Sequence, residues 1–249
     1  MSESGAAAGH GGDRARAKKP RWRRIVGHPV SQLVIAFVVV ALIQAFLVKP
    51  YVVPSLSMAP TFQVGDRIIV DRAVYVFSAP QPGDAIVFNA SSTWEAENPV
   101  TIDSPIEGVV RFIGEFTGFG PGLSHTLTKR VVAGPGQTVA CCTTDGRITV
   151  DGVPVDEPYI VSDIPFEQGV YDCETVPRST RCFDPFTVPE GQYFVLGDNR
   201  ANSSDSIAMC RGGTTTASCV RTVRREDVVG RVFAIAWPNP HFLPNESHG

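Results

Sequence analysis

The sequence predicts a mainly β protein in which a single N-terminal transmembrane helix precedes an antiparallel β-sheet domain. Two observations carry this prediction. An uncharged apolar run of twenty residues lies near the N-terminus, and short β-branched runs separated by Gly, Pro and Asp follow residue 60, where no helical period is sustained. The 249 residues are enough for one large or two small domains with a hydrophobic core.

The N-terminal tail, residues 1–28, is strongly basic. It carries seven Lys and Arg against two acidic residues, a net charge of +5, which leaves −8 on the rest of a chain whose total is −3. Nucleic acid is excluded as a main partner because that needs cations on the folded part. The tail has little apolar content, so we expect it to be disordered and to lie beside an anionic membrane surface.

Residues 29–48 form the apolar run, whose only polar side chains are Ser31, Gln32 and Gln44. Twenty helical residues span about 30 Å, the thickness of a bilayer core, and lipid favours a helix by forcing internal hydrogen bonds. A buried soluble helix would show a polar stripe, and a cleaved signal peptide would have a shorter apolar region. We therefore predict an uncleaved membrane anchor.

The charges beside the anchor predict its orientation. Seven cations precede the run and only Lys49 directly follows it, which places the N-terminus in the cytoplasm. The rest of the chain is then extracytoplasmic, held at the cytoplasmic membrane by a single pass.

Residues 49–238 are predicted to form the β domain, followed by a polar tail at 239–249. Predicted strands cover residues 67–70, 85–88, 147–150, 193–196 and 229–237. Asp151-Gly152 lies between two β-branched stretches and predicts a hairpin with a type I′ turn. Residues 89–124 and 161–187 are irregular and rich in Gly and Pro, and with 208–220 we interpret them as insertions.

All six cysteines lie in the predicted extracytoplasmic part, where an even number favours disulfides. They are Cys141, Cys142, Cys173, Cys182, Cys210 and Cys219. Six cysteines allow 15 pairings. Eight residues rich in turn formers separate Cys173 from Cys182, and eight such residues also separate Cys210 from Cys219. We predict a local disulfide within each of these two pairs. The adjacent pair is then free or joined to each other. Without CxxC spacing and with few His, a zinc site is not expected.

Ser57 is the candidate nucleophile, within residues 54–61 just after the anchor. Ser55 lies two residues earlier, so in an extended segment both side chains share one face. A serine needs a base, usually His, but His125 belongs to a loop region and the other two His after the anchor lie in the polar tail. A lysine serves if burial or nearby cations keep it neutral. Lys129, in an apolar β-like run beside Arg130, fits best.

A third cluster, residues 197–206, is a polar run that directly follows a predicted strand. In this order the clusters resemble bacterial signal peptidase I, the membrane-bound Ser/Lys leader peptidase. The matching stretches are residues 54–61, 65–70, 129–136, 197–206 and 225–238. The resemblance implies an endopeptidase that removes N-terminal signal peptides from exported preproteins after Ala-x-Ala-like sites. It implies no cofactor.

The resemblance also implies residue roles. Ser57 would be the acylating nucleophile and Lys129 the general base, with the Ser57 N–H and the Ser55 hydroxyl as the oxyanion hole. Ser203 would orient Lys129 through a hydrogen bond. Structural support would come from Asp198, Arg200, Asp205 and Arg130, and small P1 and P3 pockets would be lined by Tyr51, Val53, Met58 and Thr128.

Three positions depart from the family pattern. Leu56 replaces a Gly, Ala201 replaces an Asp, and Ile207 replaces an Arg that normally pairs with the Asp of its motif. We therefore expect Asp205 to pair with Arg130 or Arg200, or to stay solvated.

Two other functions remain open at this point. A membrane-anchored β-rich binding module without catalysis explains the topology and the cysteines but not the joint spacing of Ser57, Lys129 and Ser203. A sortase-like transpeptidase needs a reactive Cys with His and Arg. The expected partners are preproteins and the lipid bilayer, and no feature of the sequence indicates an oligomeric state.

Overall fold

The computed structural model describes residues 28–90, 94, 104–117, 125–211, 215, 216 and 218–244. The predicted disordered tail lies outside the described residues apart from His28. Two compact units divide the chain, residues 1–41 and 42–249.

Helix α1 spans Pro29–Phe46, with no charged residue and with most of its large apolar side chains exposed. It ends two residues before the predicted boundary because Val48 begins a β-strand. Within the described ranges no helix has both the length and the apolar character that a membrane crossing needs. The membrane-spanning segment stays a prediction.

The larger sheet is antiparallel and holds eight strands. They are β1 (Val48–Val52), β2 (Arg67–Asp71), β3 (Ala85–Asn89), β4 (Thr126–Ala133), β9 (Gln192–Leu196), β10 (Val223–Arg224), β11 (Val228–Trp237) and β12 (His241–Phe242). Their order is β1-β2-β11-β3-β4-β9-β10, with β12 paired to β11. Strand β3 is buried over its first four residues, as its apolar sequence requires at the centre of a sheet.

A smaller antiparallel sheet has the order β7-β6-β5-β8. Its strands are β5 (Thr138–Cys141), β6 (Ile148–Val150), β7 (Val153–Pro154) and β8 (Phe183–Thr187). Asp151 and Gly152 join β6 to β7 with φ of 51° and 79°. Positive φ at both central residues defines the predicted type I′ turn, which is confirmed.

The helices correct one interpretation. Beyond the short α2 (Val74–Phe77), the segment 89–124 contains α3 (Pro105–Thr117), although we expected irregular structure there. Apolar residues at 106, 109, 110 and 113 follow the helical spacing, and they are exposed. Gly108 and Gly114 are poor helix formers and masked this period. The segment 161–187 likewise ends in a strand, β8.

The core fixes the chain on both sides of Ser57. Val53, Met58 and Phe62 are buried in one cluster with Ile68 and Val70, which come from the inner face of β2. Burying a large apolar side chain stabilises the fold by about 1.5–3 kcal/mol. The segment between β1 and β2 is thus anchored by packing although it is neither helix nor strand.

Both predicted local disulfides are present. The sulfurs of Cys173 and Cys182 are 2.01 Å apart, and those of Cys210 and Cys219 are 1.93 Å apart. Cys141 and Cys142 are joined to each other, one of the two alternatives considered above. No described cysteine is free.

Candidate active site

The side chains of Ser57 and Lys129 are in contact at the larger sheet. Ser57 lies in the segment between β1 and β2, and Lys129 lies in β4, opposite Ile86 of β3. The Lys129 Nζ atom donates a hydrogen bond of 2.6 Å to Ser57 Oγ. Lys129 is 3% exposed and Ser57 9%. A hydroxyl and an amine at this distance can exchange a proton directly.

The environment of Lys129 favours its neutral form. Burial lowers its pKa from 10.5 to about 8, because the ammonium loses its hydration. The carboxylates of Asp205 and Asp198 act in the opposite direction, and the guanidinium of Arg221 lowers the pKa further. A substantial fraction of the amine is therefore neutral near pH 8 and can accept a proton.

The groups around Ser57 Oγ suit an oxyanion. Ser55 Oγ lies 3.2 Å from Ser57 Oγ. Among the hydrogen bonds of the described residues, none uses the Ser57 N–H as donor. Leu56 between them is 47% exposed and is not among the described residues with positive φ. A side chain other than Gly therefore fits there without backbone strain.

The loop after β9 is bound to this segment through both backbone and side-chain groups. Asn199 N–H donates to Ser57 O (3.1 Å), and its side-chain amide donates to Leu56 O (3.2 Å). Thr61 Oγ1 donates to Asp198 Oδ2 at 2.5 Å. Thr61 is the last residue of the matching stretch 54–61, but the sequence assigned it no role. These contacts hold Ser57 against the loop that follows β9.

Gly197 allows a close approach in the same loop. A Cβ at Gly197 would overlap Ser203 Oγ and the Ser57 carbonyl oxygen. Ser203 therefore lies close to Gly197, and its hydroxyl is buried without a hydrogen-bond partner among the described residues. The expected hydrogen bond from Ser203 to Lys129 is therefore absent from this arrangement.

Arg130 and Asp198 form a buried ion pair. Arg130 donates from Nε (2.9 Å) and Nη2 (2.7 Å) to the two carboxylate oxygens, and from Nη1 to Gly83 O (2.8 Å). The Tyr159 ring stacks on the guanidinium, 3.8 Å away. Desolvation of both ions offsets much of the attraction, so the pair fixes geometry more than it adds stability.

The pairing expected for Asp205 is wrong. Arg130 is bound to Asp198, and Arg200 forms an ion pair with Glu157. The buried Asp205 carboxylate instead accepts from Arg211 Nη2 at 3.2 and 3.1 Å. Arg211 lies in the predicted insertion 208–220, just beyond the motif at 197–206, and the sequence assigned it no role. Ala201, the third departure, is exposed.

Ser57 and Lys129 line a cavity of about 600 Å³. It is lined by Pro54, Ser55, Leu56, Ser57, Val64, Trp94, His125, Leu127, Lys129, Asn202, Ser204 and Arg221. The four residues predicted to line substrate pockets lie elsewhere: Val53 and Met58 are buried in the core, Tyr51 packs against that core, and Thr128 pairs with Val87. Substrate contact by these four stays a prediction.

The described residues offer one group of possible metal ligands, the Sγ atoms of Cys142, Cys173 and Cys182, which lie within 4.8 Å of one another. All three sulfurs belong to disulfides, so none is a thiolate. Metal binding needs thiolates.

Comparison with known proteins identifies the family. The family model described as signal peptidase, peptidase S26, matches residues 26–237. The chain belongs to the signal peptidase family. Signal peptidase I of Mycobacterium tuberculosis (strain CDC 1551 / Oshkosh) is 38% identical over 214 residues, which cover 82% of this chain and 70% of the relative.

Further relatives extend the match. A probable signal peptidase I of Mycobacterium leprae is 34% identical and covers 96% of this chain and 83% of its own length. Signal peptidase I of Pseudomonas aeruginosa is 30% identical and covers 84% and 73%. Membership in the signal peptidase family confirms the resemblance drawn from the sequence motifs. It disfavours the binding module and the sortase-like transpeptidase. The transpeptidase would also need a reactive thiol.

Proposed function

We propose that this signal peptidase family member cleaves N-terminal signal peptides from exported preproteins, with Ser57 as nucleophile and Lys129 as general base. The observation that carries the proposal is the buried 2.6 Å hydrogen bond between Lys129 Nζ and Ser57 Oγ. Within the part of the chain that the structure describes, no carboxylate bonds to Lys129. A lysine that is desolvated and bonded to a serine is suited to deprotonate that serine.

The proposed reaction has two halves. Neutral Lys129 takes the Ser57 proton as Oγ attacks the scissile carbonyl, and the ammonium then protonates the leaving amine. The Ser57 N–H and the Ser55 hydroxyl stabilise the oxyanion. In the second half Lys129 deprotonates a water that attacks the acyl-enzyme, and Ser57 recovers its proton as the signal peptide leaves with a new carboxylate.

Substrate selection is proposed to follow from an extended binding mode. A peptide that adds to a strand edge presents alternate side chains to the enzyme. Small pockets at Tyr51, Val53, Met58 and Thr128 would then favour small residues at P1 and P3, as in Ala-x-Ala.

The membrane is the second proposed partner. Residues 29–48 anchor the chain, the basic tail stays in the cytoplasm, and the β domain works on the outer face of the cytoplasmic membrane. The uncharged sequence of α1 and the cations before it support this orientation. A substrate whose apolar segment lies in the same bilayer is presented to the enzyme at raised effective concentration.

The decisive experiment compares preprotein cleavage by the full chain and by Ser57→Ala and Lys129→Ala. Each substitution should lower the rate by about a thousandfold or more, because the dyad acts as a unit. Ser78→Ala, at an exposed site in the same domain, is the matched control and should cleave at the normal rate. Circular dichroism should be unchanged in all variants. Cleavage that persists without either dyad residue would contradict the proposal.

A further inference from the structure

Asn199 binds the backbone on both sides of Ser57. It lies in the motif 197–206, yet neither the resemblance nor the proposed mechanism gives it a role. Its N–H donates to Ser57 O at 3.1 Å, and its side-chain Nδ2 donates to Leu56 O at 3.2 Å. These two carbonyls belong to the two consecutive peptide units that flank the Ser57 Cα. A single residue of the loop after β9 therefore holds both units.

The bond to Leu56 O also bears on the Ser57 N–H, because the two groups share one peptide unit. That unit is planar, and the bond between Leu56 and Ser57 is trans. In a trans unit the carbonyl oxygen and the amide hydrogen point in opposite directions. Whatever fixes the oxygen therefore also fixes the direction in which the Ser57 N–H can donate.

Leu56 O receives a second hydrogen bond from within its own segment. The Ala59 N–H donates to it at 3.0 Å in the turn that follows Ser57. That bond is local, whereas the bond from Asn199 joins residues 143 positions apart and ties the turn to the loop after β9. Two donors on one oxygen restrict the rotation of the peptide plane. They also polarise the N–H of the same unit, which strengthens it as a donor.

The Asn199 side chain acts here as a donor. Its Oδ1 atom is buried and has no hydrogen-bond partner among the described residues. A flipped amide would place Oδ1 against Leu56 O, where two acceptors repel each other. An Asp at this position would have the same size, but an ionised carboxylate has no proton to donate. The position therefore requires an amide and not a carboxylate.

We propose that Asn199 is a positioning residue for the oxyanion hole. Its side-chain amide holds the peptide unit between Leu56 and Ser57 so that the Ser57 N–H is directed at the developing oxyanion. This inference rests on the proposed function, in which that N–H and the Ser55 hydroxyl stabilise the oxyanion. A preorganised donor of this kind lowers the energy of the transition state and leaves the binding of the substrate unchanged.

The test compares kcat and KM for preprotein cleavage by the full chain and by Asn199→Ala. The substitution removes the side-chain donor and keeps the backbone bond to Ser57 O. We expect kcat to fall by about ten- to a hundredfold with KM unchanged. The loss should be smaller than the roughly 10²–10³-fold effect of deleting an oxyanion donor, since the Ser57 N–H itself remains. Asn89→Ala, the same change at an exposed residue of β3, is the matched control and should cleave at the normal rate.

Two further measurements separate positioning from a general structural role. A peptide boronate forms a tetrahedral adduct on a serine, and one of its oxygens occupies the oxyanion site. Asn199→Ala should bind it more weakly by the same factor as kcat falls. The acid limb of the pH profile, which reports Lys129, should not move, because no hydrogen bond in the described part of the chain joins Asn199 to Lys129. Circular dichroism should be unchanged.

An unchanged kcat in Asn199→Ala would overturn the inference. A loss confined to KM would overturn it as well, and so would a shift of the acid limb in this variant. If Asn199→Ala does not fold, Asn199→Asp decides the matter, since it keeps the size of the side chain and removes the donor. A normal kcat in that variant would contradict the proposal. Cleavage that persists in Ser57→Ala would instead contradict the proposed function.

Discussion

Lys129 and Arg130 are consecutive in β4, yet they have separate tasks. Strand residues alternate between faces, so Lys129 contacts Ser57 on one side while Arg130 binds Asp198 and Gly83 on the other. The permanent charge of Arg130 is neutralised by Asp198 away from the reacting atoms. Because of this alternation, the Lys129 amine and the Arg130 guanidinium bind different partners although they are adjacent in sequence.

The protonation of Lys129 predicts the pH dependence of cleavage. A base must be neutral, and burial lowers its pKa from 10.5 to about 8. Activity should therefore fall as the pH drops below about 8, by roughly tenfold per unit, because the neutral fraction falls by that factor. The measurement is kcat/KM between pH 5 and pH 10, with circular dichroism over the same range to exclude acid unfolding. A rate that stays flat down to pH 5 would rule out a lysine base.

What could be predicted at single residues depended on local pattern. Ser57 and Lys129 stood out because each lies within a motif, and the structure brings them into contact. Their supporting partners did not stand out. Thr61, Glu157 and Arg211 bond to Asp198, Arg200 and Asp205 across separations of 137, 43 and 6 residues. The first two pairs join residues that are distant in the chain and are created by the fold, whereas Arg211 is close to Asp205 in sequence but lies outside the motif.

The loop closed by Cys210 and Cys219 supports the site as an element. It delivers Arg211 at its start and Arg221 just beyond its end, both to residues around Asp205. The Cys173–Cys182 disulfide has the same sequence separation of nine but lies in a different segment. Removal of one disulfide can therefore serve as the control for removal of the other.

Removing each bridge by paired Cys→Ser substitution should separate stability from activity. In the chain-entropy model each closed loop is worth about 3 kcal/mol, so both variants should lose similar stability in denaturant unfolding. Only the Cys210→Ser, Cys219→Ser variant should also lower preprotein cleavage, measured where both variants remain folded. Equal effects on cleavage would contradict a specific role for this loop.

Helix α3 shows why some elements were missed. Its apolar residues recur at 106, 109, 110 and 113, but Gly108 and Gly114 and a Pro-rich approach favoured an irregular segment. Strands were easier to find, because β2, β3 and β11 combine β-branched content with clear turn residues at their ends. The order of the strands was not predictable, since it depends on long-range pairing.

At the scale of the whole molecule, orientation across the membrane can be tested directly. The cells are first stripped of their outer layers while the cytoplasmic membrane stays intact. An added protease should then digest the β domain and leave a fragment that contains the basic tail. The reason is that the cations before α1 are predicted to retain the N-terminus in the cytoplasm. A tag at the N-terminus and one at the C-terminus report the two sides. Digestion of the N-terminal tag in cells that have not been permeabilised would contradict the proposed topology.

The position of β11 has a consequence for when the enzyme becomes active during its own synthesis. Ser57 belongs to the β1–β2 side of the larger sheet and Lys129 to the β3–β4 side, and β11, Val228–Trp237, is the strand that joins them. A nascent chain cannot bring Ser57 and Lys129 together in this sheet until that last long strand has been synthesised. Chains are made at about 5–20 residues per second, so the site stays incomplete for several seconds after Lys129 itself has been made.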